Sequence, residues 1–304
     1  MSFNPIYQNQ VNLLLDVLPI INEFECFALK GGTAINLFLS NMPRLSVDID
    51  LTYLPIEPRN IFLKNITSQM QLMKQNLEDN NFQVQALFTK DKQLSKLIVY
   101  RDDANIKIEP NFVIRGSVFE CEIHELCQQA QDQFLKYVSV KILSIADIYG
   151  GKICAALDRQ HPRDLFDIKY LFDNQGLSDD IRKAFIVYLC SSNRPIHELL
   201  NPNPKIFDFQ DDFNKQFSGM TKVQITAEEL TQTRIKLINV ILNDLSNDEK
   251  NFLISLKSGD PNWSLMPSGI EKLPSLQWKI LNIKKMSKIK RNEMFQKLRL
   301  LLNN

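Results

Sequence analysis

A short segment near the start of the chain constrains its fold more than any other. Residues 26–29 are apolar and are followed by Gly31-Gly32, a pattern typical of a strand that ends in a turn. Residues 47–51 then alternate between apolar and acidic side chains, and side chains two residues apart on a strand share a face. The segment therefore predicts a strand with one apolar face and with Asp48 and Asp50 side by side on the other.

Hydrophobic periodicity predicts the remaining elements. Helices are expected over residues 11–24, 34–39, 61–77, 144–157, 163–172, 227–245 and 248–256, and strands over residues 82–88, 96–100 and 106–113. Thr33 is predicted to cap the helix that follows it. Strand signals end near residue 181, so the sequence indicates an α+β domain over residues 1–175. A mostly helical domain, closed by a basic helix, is predicted over residues 176–304.

Composition excludes several classes of protein. Hydrophobic residues make up 44% of the chain, which supports a sizeable core and argues against disorder. The net charge of +1 gives no global field that would attract nucleic acid. The five cysteines show no CxxC spacing, so neither a disulfide framework nor a zinc site is indicated. The sequence shows neither a signal peptide nor an apolar stretch of about 20 residues, and we expect a soluble, cytoplasmic protein without a membrane partner.

The charge is unevenly distributed near the end of the chain. From Lys279 onward, Glu293 is the one acidic residue among eight basic ones, namely Lys279, Lys284, Lys285, Lys288, Lys290, Arg291, Lys297 and Arg299. Such a segment can contact a phosphate backbone. The alternative is a helix with a solvated lysine face, and the spacing alone does not separate the two.

The paired aspartates carry the chemistry that we consider first. Magnesium prefers carboxylate and phosphate oxygens, and two carboxylates on one strand face can bridge two such ions in phosphoryl or nucleotidyl transfer. Gly31 and Gly32 would let backbone N–H groups and a helix N-terminus approach a phosphate, and Thr33 would add a hydroxyl contact. Taken singly, an Asp-x-Asp pair is often only a surface feature and a Gly-Gly pair only a turn, whereas the two in order favour a catalytic site.

Three further groups are candidates for the same chemistry. Glu109, on the strand over residues 106–113, is the candidate third metal ligand, and the alternative is a solvated strand acid. Lys152 follows Gly150-Gly151 on a helix and would bind a triphosphate, unless it is an ordinary surface lysine. The two glycines would be explained by close backbone packing or by a ligand.

Asp164 and Asp167 begin the next predicted helix, on neighbouring faces. Acidic residues in a first helical turn also simply complement the helix dipole, and that interpretation suits at least one of the two.

Together these motifs resemble the AbiEii family of nucleotidyltransferase toxins, within the polymerase-β-like nucleotidyltransferase superfamily. The resemblance rests on Lys30-Gly31-Gly32-Thr33, residues 44–50, Lys152 with Ala155, Arg159 and residues 163–167, and the patterns at 252–253, 259–263, 273–274 and 278–279. The resemblance implies a mixed sheet flanked by helices, followed by a helical domain. It also implies one half of a toxin–antitoxin pair, whose winged-helix antitoxin is encoded nearby.

The resemblance further implies an Mg²⁺-dependent transfer of NMP from an NTP to an RNA acceptor, the 3′ end of tRNA, that blocks translation. By the same resemblance Asp48 and Asp50 hold magnesium, Ser46 and Lys152 contact the nucleotide, and Asp164 or Asp167 completes the site. Arg159 or Arg163 would reach the triphosphate. Two alternatives stay open: transfer to a small molecule or a protein, and a non-catalytic module that binds NTP or RNA.

Overall fold

The structure is a computed structural model that describes residues 3–204 and 209–303. The chain divides into two compact units. The first contains residues 1–144 and 218–224, and the second contains residues 145–217 and 225–304. Residues 145–175, which the sequence analysis assigned to the first domain, thus cluster with the helical unit.

The described residues of the first unit form strands β1 to β7, helices α1 to α4 and a π-helix. The strands are β1 (Phe27–Lys30), β2 (Asp48–Tyr53), β3 (Gln83–Phe88), β4 (Leu94–Arg101), β5 (Ala104–Asn111), β6 (Glu122–Glu125) and β7 (Ser139–Ile142). The helices are α1 (Pro5–Asn22), the single turn α2 (Gly31–Thr33), α3 (Arg59–Asp79) and α4 (Gln128–Phe134). A π-helix, Ala34–Leu39, continues directly from α2.

All seven strands form one sheet in the order β3-β4-β5-β2-β1-β7-β6. The pairs β2–β5 and β1–β7 are parallel and the others are antiparallel, so the sheet is mixed. The buried leucines of α1 and the buried methionines of α3 supply apolar faces that pack against the sheet. The predicted α+β fold, with a mixed sheet flanked by helices, is confirmed.

The second unit is helical throughout its described residues. Its helices are α5 (Ile145–Arg159), α6 (Pro162–Asn174), α7 (Asp179–Ser191), α8 (Ile196–Leu200), α9 (Phe209–Gln216), α10 (Ala227–Asp244), α11 (Asn247–Ser258), α12 (Pro274–Lys285) and α13 (Lys288–Asn303). Two short 3₁₀ turns, Trp263–Leu265 and Ile270–Lys272, lie between α11 and α12. Local sequence explains several boundaries, because Thr226 and Ser246 form capping boxes with Glu229 and Glu249.

Helix α5 is the centre of this unit and packs along α7. A Cβ on Gly150 would lie 2.6 Å from the backbone nitrogen of Phe185, so the two helices touch where a side chain would not fit. Close backbone packing is therefore the explanation for the glycine at position 150. This contact also explains why residues 145–175 cluster with the helical unit.

Several predictions differ from the structure. The sequence patterns do not predict β6, β7, α4, or the helices α7 to α9. The closing basic helix is in fact two helices, α12 and α13, which are separated at Met286 and Ser287. Within the residues that the structure describes, no helix is long and apolar enough to cross a membrane.

Candidate active site

Strand β2 lies inside the sheet, between β5 and β1. Its side chains alternate as predicted, because Ile49 and Leu51 are almost completely buried while Asp48 and Asp50 are partly exposed. The two carboxylates therefore project from one face of a strand whose other face belongs to the core. A central strand holds its side chains more rigidly than a loop, which suits a site that must position charge.

The neighbouring strands bring further charges to the same level of the sheet. Asp50 is paired in register with Lys30 on β1 and with Glu109 on β5. Residues paired across strands project on the same side of a sheet. The row from Lys30 through Asp50 to Glu109 thus crosses three adjacent strands.

The two glycines make room for the side chains of this site. Gly31 has a φ of +74°, a backbone conformation that residues other than glycine rarely adopt. A Cβ at this position would overlap a carboxylate oxygen of Asp50. A Cβ on Gly32 would lie 2.7 Å from a guanidinium nitrogen of Arg44 and 2.8 Å from the Ser46 hydroxyl. The absence of side chains at positions 31 and 32 thus leaves room for polar side chains of the protein itself, a role that the sequence pattern alone does not indicate.

Thr33 connects the one-turn helix α2 to the start of β2. Its hydroxyl is buried and donates to the carbonyl oxygen of Asp48 at 2.6 Å, and it lies within hydrogen-bond distance of the Ser46 hydroxyl at 3.1 Å. The prediction that Thr33 caps a helix is wrong. The helix already begins at Gly31, and Thr33 itself has helical dihedral angles of −67° and −45°. Thr33 instead fixes the backbone that carries the first aspartate.

The segment before β2 is held by a distant part of the chain that belongs to the same unit. Leu45 donates its backbone N–H to the carbonyl of Met220 at 2.7 Å, and the hydroxyl of Thr221 donates to the carbonyl of Pro43 at 2.9 Å. Arg44 is only 2% exposed and donates to the carbonyl of Leu45 at 2.8 Å. Sequence patterns near Thr221 gave no sign of this role.

Glu109 forms an ion pair with Lys96 on β4, and both side chains are about one-third exposed. Across residues 3–204 and 209–303, no group of three or more His, Cys, Asp or Glu side chains is arranged as a metal site. The donor chemistry of Asp48 and Asp50 fits magnesium, since both are carboxylates with access to solvent. The role of Glu109 as a third ligand stays a prediction.

The second unit contains a cluster of charged residues on α5 and α6. The ammonium of Lys152 lies 2.9 Å from a carboxylate oxygen of Asp164 and 3.0 Å from one of Asp167. The three side chains are 6%, 4% and 0% exposed, respectively. Lys152 is therefore not an ordinary surface lysine, and that alternative is wrong.

The exposed Arg159 extends the cluster, with its guanidinium 2.9 Å from Asp164. Burial alone would raise the pKa of Asp164, but the charges of Lys152 and Arg159 outweigh it and hold the pKa well below its usual range. Asp164 also lies in the first turn of α6, so it complements the helix dipole as well. Arg163, in the same turn, donates its backbone N–H to Nδ1 of His161, which caps the helix.

The paired aspartates on a mixed sheet, next to a Gly-Gly-Thr turn of helix, fit the nucleotidyltransferase class of proteins. A family model described as "Nucleotidyl transferase AbiEii toxin, Type IV TA system" matches residues 12–278. This match covers most of the chain, which therefore belongs to the AbiEii family of nucleotidyltransferase toxins from type IV toxin–antitoxin systems. The predicted family is thereby confirmed.

A solved structure supports the fold. The chain is similar to MenT4, a nucleotidyltransferase toxin from Mycobacterium tuberculosis H37Rv, with a TM-score of 0.57 and 16% sequence identity. The similarity covers 95% of this chain and 93% of that one. No curated protein matches the chain in sequence.

Proposed function

We propose that this toxin is an Mg²⁺-dependent enzyme that transfers NMP from an NTP to an RNA acceptor. The acceptor in this proposal is the 3′ end of tRNA, and the modified tRNA would no longer support translation in the cytoplasm. One observation carries the proposal: Asp48 and Asp50 project side by side from the interior strand β2, next to Gly31 and Gly32.

Charge is the main obstacle in nucleotidyl transfer, because the triphosphate and the attacking oxygen repel each other. Asp48 and Asp50 would hold Mg²⁺, with Glu109 as a third ligand, and the bound metal would supply positive charge to the triphosphate. The acceptor hydroxyl would attack the α-phosphorus and release its proton to solvent water, and the bond to the leaving pyrophosphate would break. Catalysis would consist mostly of positioning and charge neutralisation.

The residues around the aspartates would position the nucleotide. The Ser46 hydroxyl lies within hydrogen-bond distance of the Thr33 hydroxyl, at 3.1 Å, and close to Gly32, so it is held in one place. We assign Ser46 to nucleotide contact, together with backbone groups of Gly31, Gly32 and Thr33. A hydroxyl that is already oriented loses little entropy when it binds a phosphate oxygen.

The cluster in the second unit is assigned to the reaction by family resemblance. Lys152, Asp164 and Asp167 would act in catalysis, and Arg159 and Arg163 would contact the nucleotide. Arg159 suits this role because its side chain is 62% exposed although it is bound to Asp164. For the buried trio Lys152, Asp164 and Asp167, the ion pairs provide a structural role as well.

The type IV family implies a cognate antitoxin. We infer that this antitoxin is a winged-helix protein encoded nearby. Contact between the two proteins, or modification of the toxin, would keep the enzyme inactive.

The test uses the purified protein with Mg²⁺, total bacterial tRNA and each α-labelled NTP in turn. Asp48→Ala is the inactive variant, and Asp91→Ala in an exposed turn is the matched control. We expect label on tRNA with the wild type and with the control, and none with Asp48→Ala. Label that persists in Asp48→Ala would refute the site. A labelled small molecule or protein with unlabelled tRNA would refute the acceptor, and nucleotide binding without any product would favour a binding module.

A further inference from the structure

A small pocket lies between α11 and the first two turns of α13, within the second unit. Its volume is about 300 Å³. Its lining combines three cations with two polar side chains and one aromatic ring, namely Lys257, Lys288, Arg291, Ser258, Asn292 and Phe295. No acidic residue lines it among the residues that the structure describes. The chemistry of this lining suits an anion next to a flat, partly apolar group.

Lys257 is the most informative residue of the pocket. The residue as a whole is only 3% exposed, and within the described parts of the chain no hydrogen bond or ion pair of its ammonium is found. Its Nζ is not one of the fully buried atoms that lack a partner, so the ammonium meets solvent only at the pocket. An ammonium that is only partly hydrated and has no anionic partner is unfavourable. Burial lowers the pKa of Lys257, and the nearby charges of Lys279 and Lys290 lower it further. An anion in the pocket would offset these costs.

Lys279 provides an internal comparison. It is buried to a similar degree, but its ammonium donates to the carbonyl oxygens of Ser192 at 2.7 Å and Arg194 at 2.9 Å. Lys279 therefore has a structural explanation, whereas Lys257 opens into a pocket lined by further cations. The eight basic residues at the end of the chain thus do not form one solvated face.

The start of α13 carries charges of the wrong sign for a helix N-terminus. Its first turns contain Lys288, Lys290 and Arg291, and its first turn contains no acidic residue. Cations near a helix N-terminus oppose the helix dipole, whereas an anion there is stabilised by it. Glu293, the acidic residue of this helix, is paired with Lys297 instead. The unfavourable charges are explained if the helix start receives an anionic ligand.

We propose that this pocket binds a backbone phosphate of the RNA acceptor and stacks an adjoining base on Phe295. The identity of the ligand as RNA rests on the proposed function. Lysine and arginine side chains neutralise phosphates, aromatic rings stack on bases in single-stranded RNA, and Ser258 and Asn292 supply polar groups for the sugar. The pocket is thus a substrate-binding site in the helical unit, built from residues other than those assigned to catalysis.

The test measures binding of 5′-labelled total bacterial tRNA to the full-length protein by fluorescence anisotropy over a series of salt concentrations. The pocket variant is the double substitution Lys288→Gln with Arg291→Gln. The control is Lys285→Gln with Arg299→Gln, which removes the same charge from exposed positions outside the pocket. We expect the pocket variant to raise Kd about tenfold and to lower the salt slope by about 1 to 2, and the control to change Kd less than twofold.

Two additional variants test the buried lysine and the aromatic ring of the pocket separately. Lys257→Met should weaken tRNA binding without lowering the melting temperature, because it removes a charge that lacks a partner. Phe295→Leu should weaken tRNA binding while the salt slope stays unchanged. Equal effects of the pocket and control variants would overturn the proposal. So would displacement of tRNA by millimolar inorganic phosphate or NTP, since the pocket would then take a free phosphate.

The outcome separates this inference from the proposed function. Asp48→Ala should bind tRNA as the wild type does, although it transfers no nucleotide. If transfer to tRNA depends on Asp48 while the pocket variant binds normally, the inference is wrong and the proposed function stands. If tRNA binding depends on the pocket but no nucleotide is transferred, the proposed function is wrong and the RNA site stands.

Discussion

Each unit of the protein contains a pair of closely spaced aspartates, and the two pairs have different surroundings. Asp48 and Asp50 lie on a strand, are partly exposed, and adjoin two glycines that leave space for side-chain groups. Asp164 and Asp167 lie on a helix, are almost completely buried, and bind the ammonium of Lys152. The same residue type at similar spacing is thus accessible in one unit and neutralised by a buried lysine in the other.

This difference indicates that exposure and partners decide what a carboxylate pair can do. Partly exposed carboxylates are suitable ligands for a hard cation such as Mg²⁺. A buried carboxylate that already binds an ammonium contributes to stability only while its partner remains, since a lone buried charge is strongly unfavourable. We therefore expect variants of the first pair to change activity, and variants around the second pair to change stability first.

The largest effect is expected from Lys152→Met. The substitution leaves Asp164 and Asp167 buried without their shared partner, and breaking a buried ion pair costs about 3–5 kcal/mol. Urea unfolding measured at pH 7 should show this loss. The triple variant with Asp164→Asn and Asp167→Asn should recover much of it, because no buried charge is left. A melting temperature equal to that of the wild type would show that the trio is not a structural element.

The same variant should reverse the dependence of stability on pH. In the wild type the pKa of Asp164 is lowered, so its contribution to stability is present above an unfolded-state pKa of about 3.9 and is lost only in strong acid. Without Lys152, the mainly exposed Arg159 offsets the effect of burial less, so burial favours the protonated form of Asp164 and raises its pKa. The variant should then become more stable as the pH falls from 7 to 5, while the wild type should not.

Gly31→Ala should have the next largest effect, and it tests the first pair. The new Cβ would overlap the Asp50 carboxylate, and the positive φ adds strain of about 1–2 kcal/mol. Since displacement of a catalytic group by about 1 Å can cost about a hundredfold in rate, we expect a loss of that order in nucleotide transfer. Gly176→Ala is the control, because its φ is +72° and nothing lies within 4 Å of the added Cβ. Full activity of Gly31→Ala would refute the proposed geometry.

Sequence patterns predict the shared face of Asp48 and Asp50, but they do not predict the burial and the lysine partner of Asp164 and Asp167. The alternation over residues 47–51 fixes which side chains share a face of β2, because a strand has a strict period of two. For Asp164 and Asp167, spacing identified a helix start but not a buried lysine partner. Lys152 is separated from them by a chain turn, and only the packing of α5 against α6 brings the three together.

The same limit applies to elements whose partners are distant in sequence. Strands β6 and β7 are four residues long and partly exposed, so their patterns are weak, and their place in the sheet depends on pairing with each other and with β1. The hydrogen bonds between residues 220–221 and residues 43–45 join two segments that are far apart in sequence, and no local pattern predicts them. Lys257 and Lys279 have the same residue type and similar burial, and only the structure shows that one has acceptors.

Two neighbouring glycines, Gly150 and Gly151, test how closely α5 packs against α7 in the second unit. In Gly150→Ala the added Cβ would meet backbone atoms of Phe185 and Ala184 at 2.6 and 2.8 Å, so we expect a loss of about 1–3 kcal/mol. In Gly151→Ala the nearest atoms belong to the Tyr188 ring at 3.5 Å, an ordinary contact. This variant should be neutral or more stable by up to about 1 kcal/mol, because alanine favours helix. Equal unfolding free energies would contradict the close approach of α5 and α7.

The smallest effects are expected for Glu109, which is paired in register with Asp50 and forms an ion pair with Lys96. Surface ion pairs contribute about 0–1 kcal/mol, so Glu109→Gln should hardly change stability. If Glu109 is the third magnesium ligand, Glu109→Gln should raise the Mg²⁺ concentration for half-maximal transfer several-fold. Lys96→Met should lower that concentration, because the ammonium no longer competes with the metal for the carboxylate. A magnesium titration of the transfer rate measures both, with Lys92→Met, in an exposed turn, as the control. Unchanged titrations in both variants would remove Glu109 from the site and leave Asp48 and Asp50 as its carboxylates.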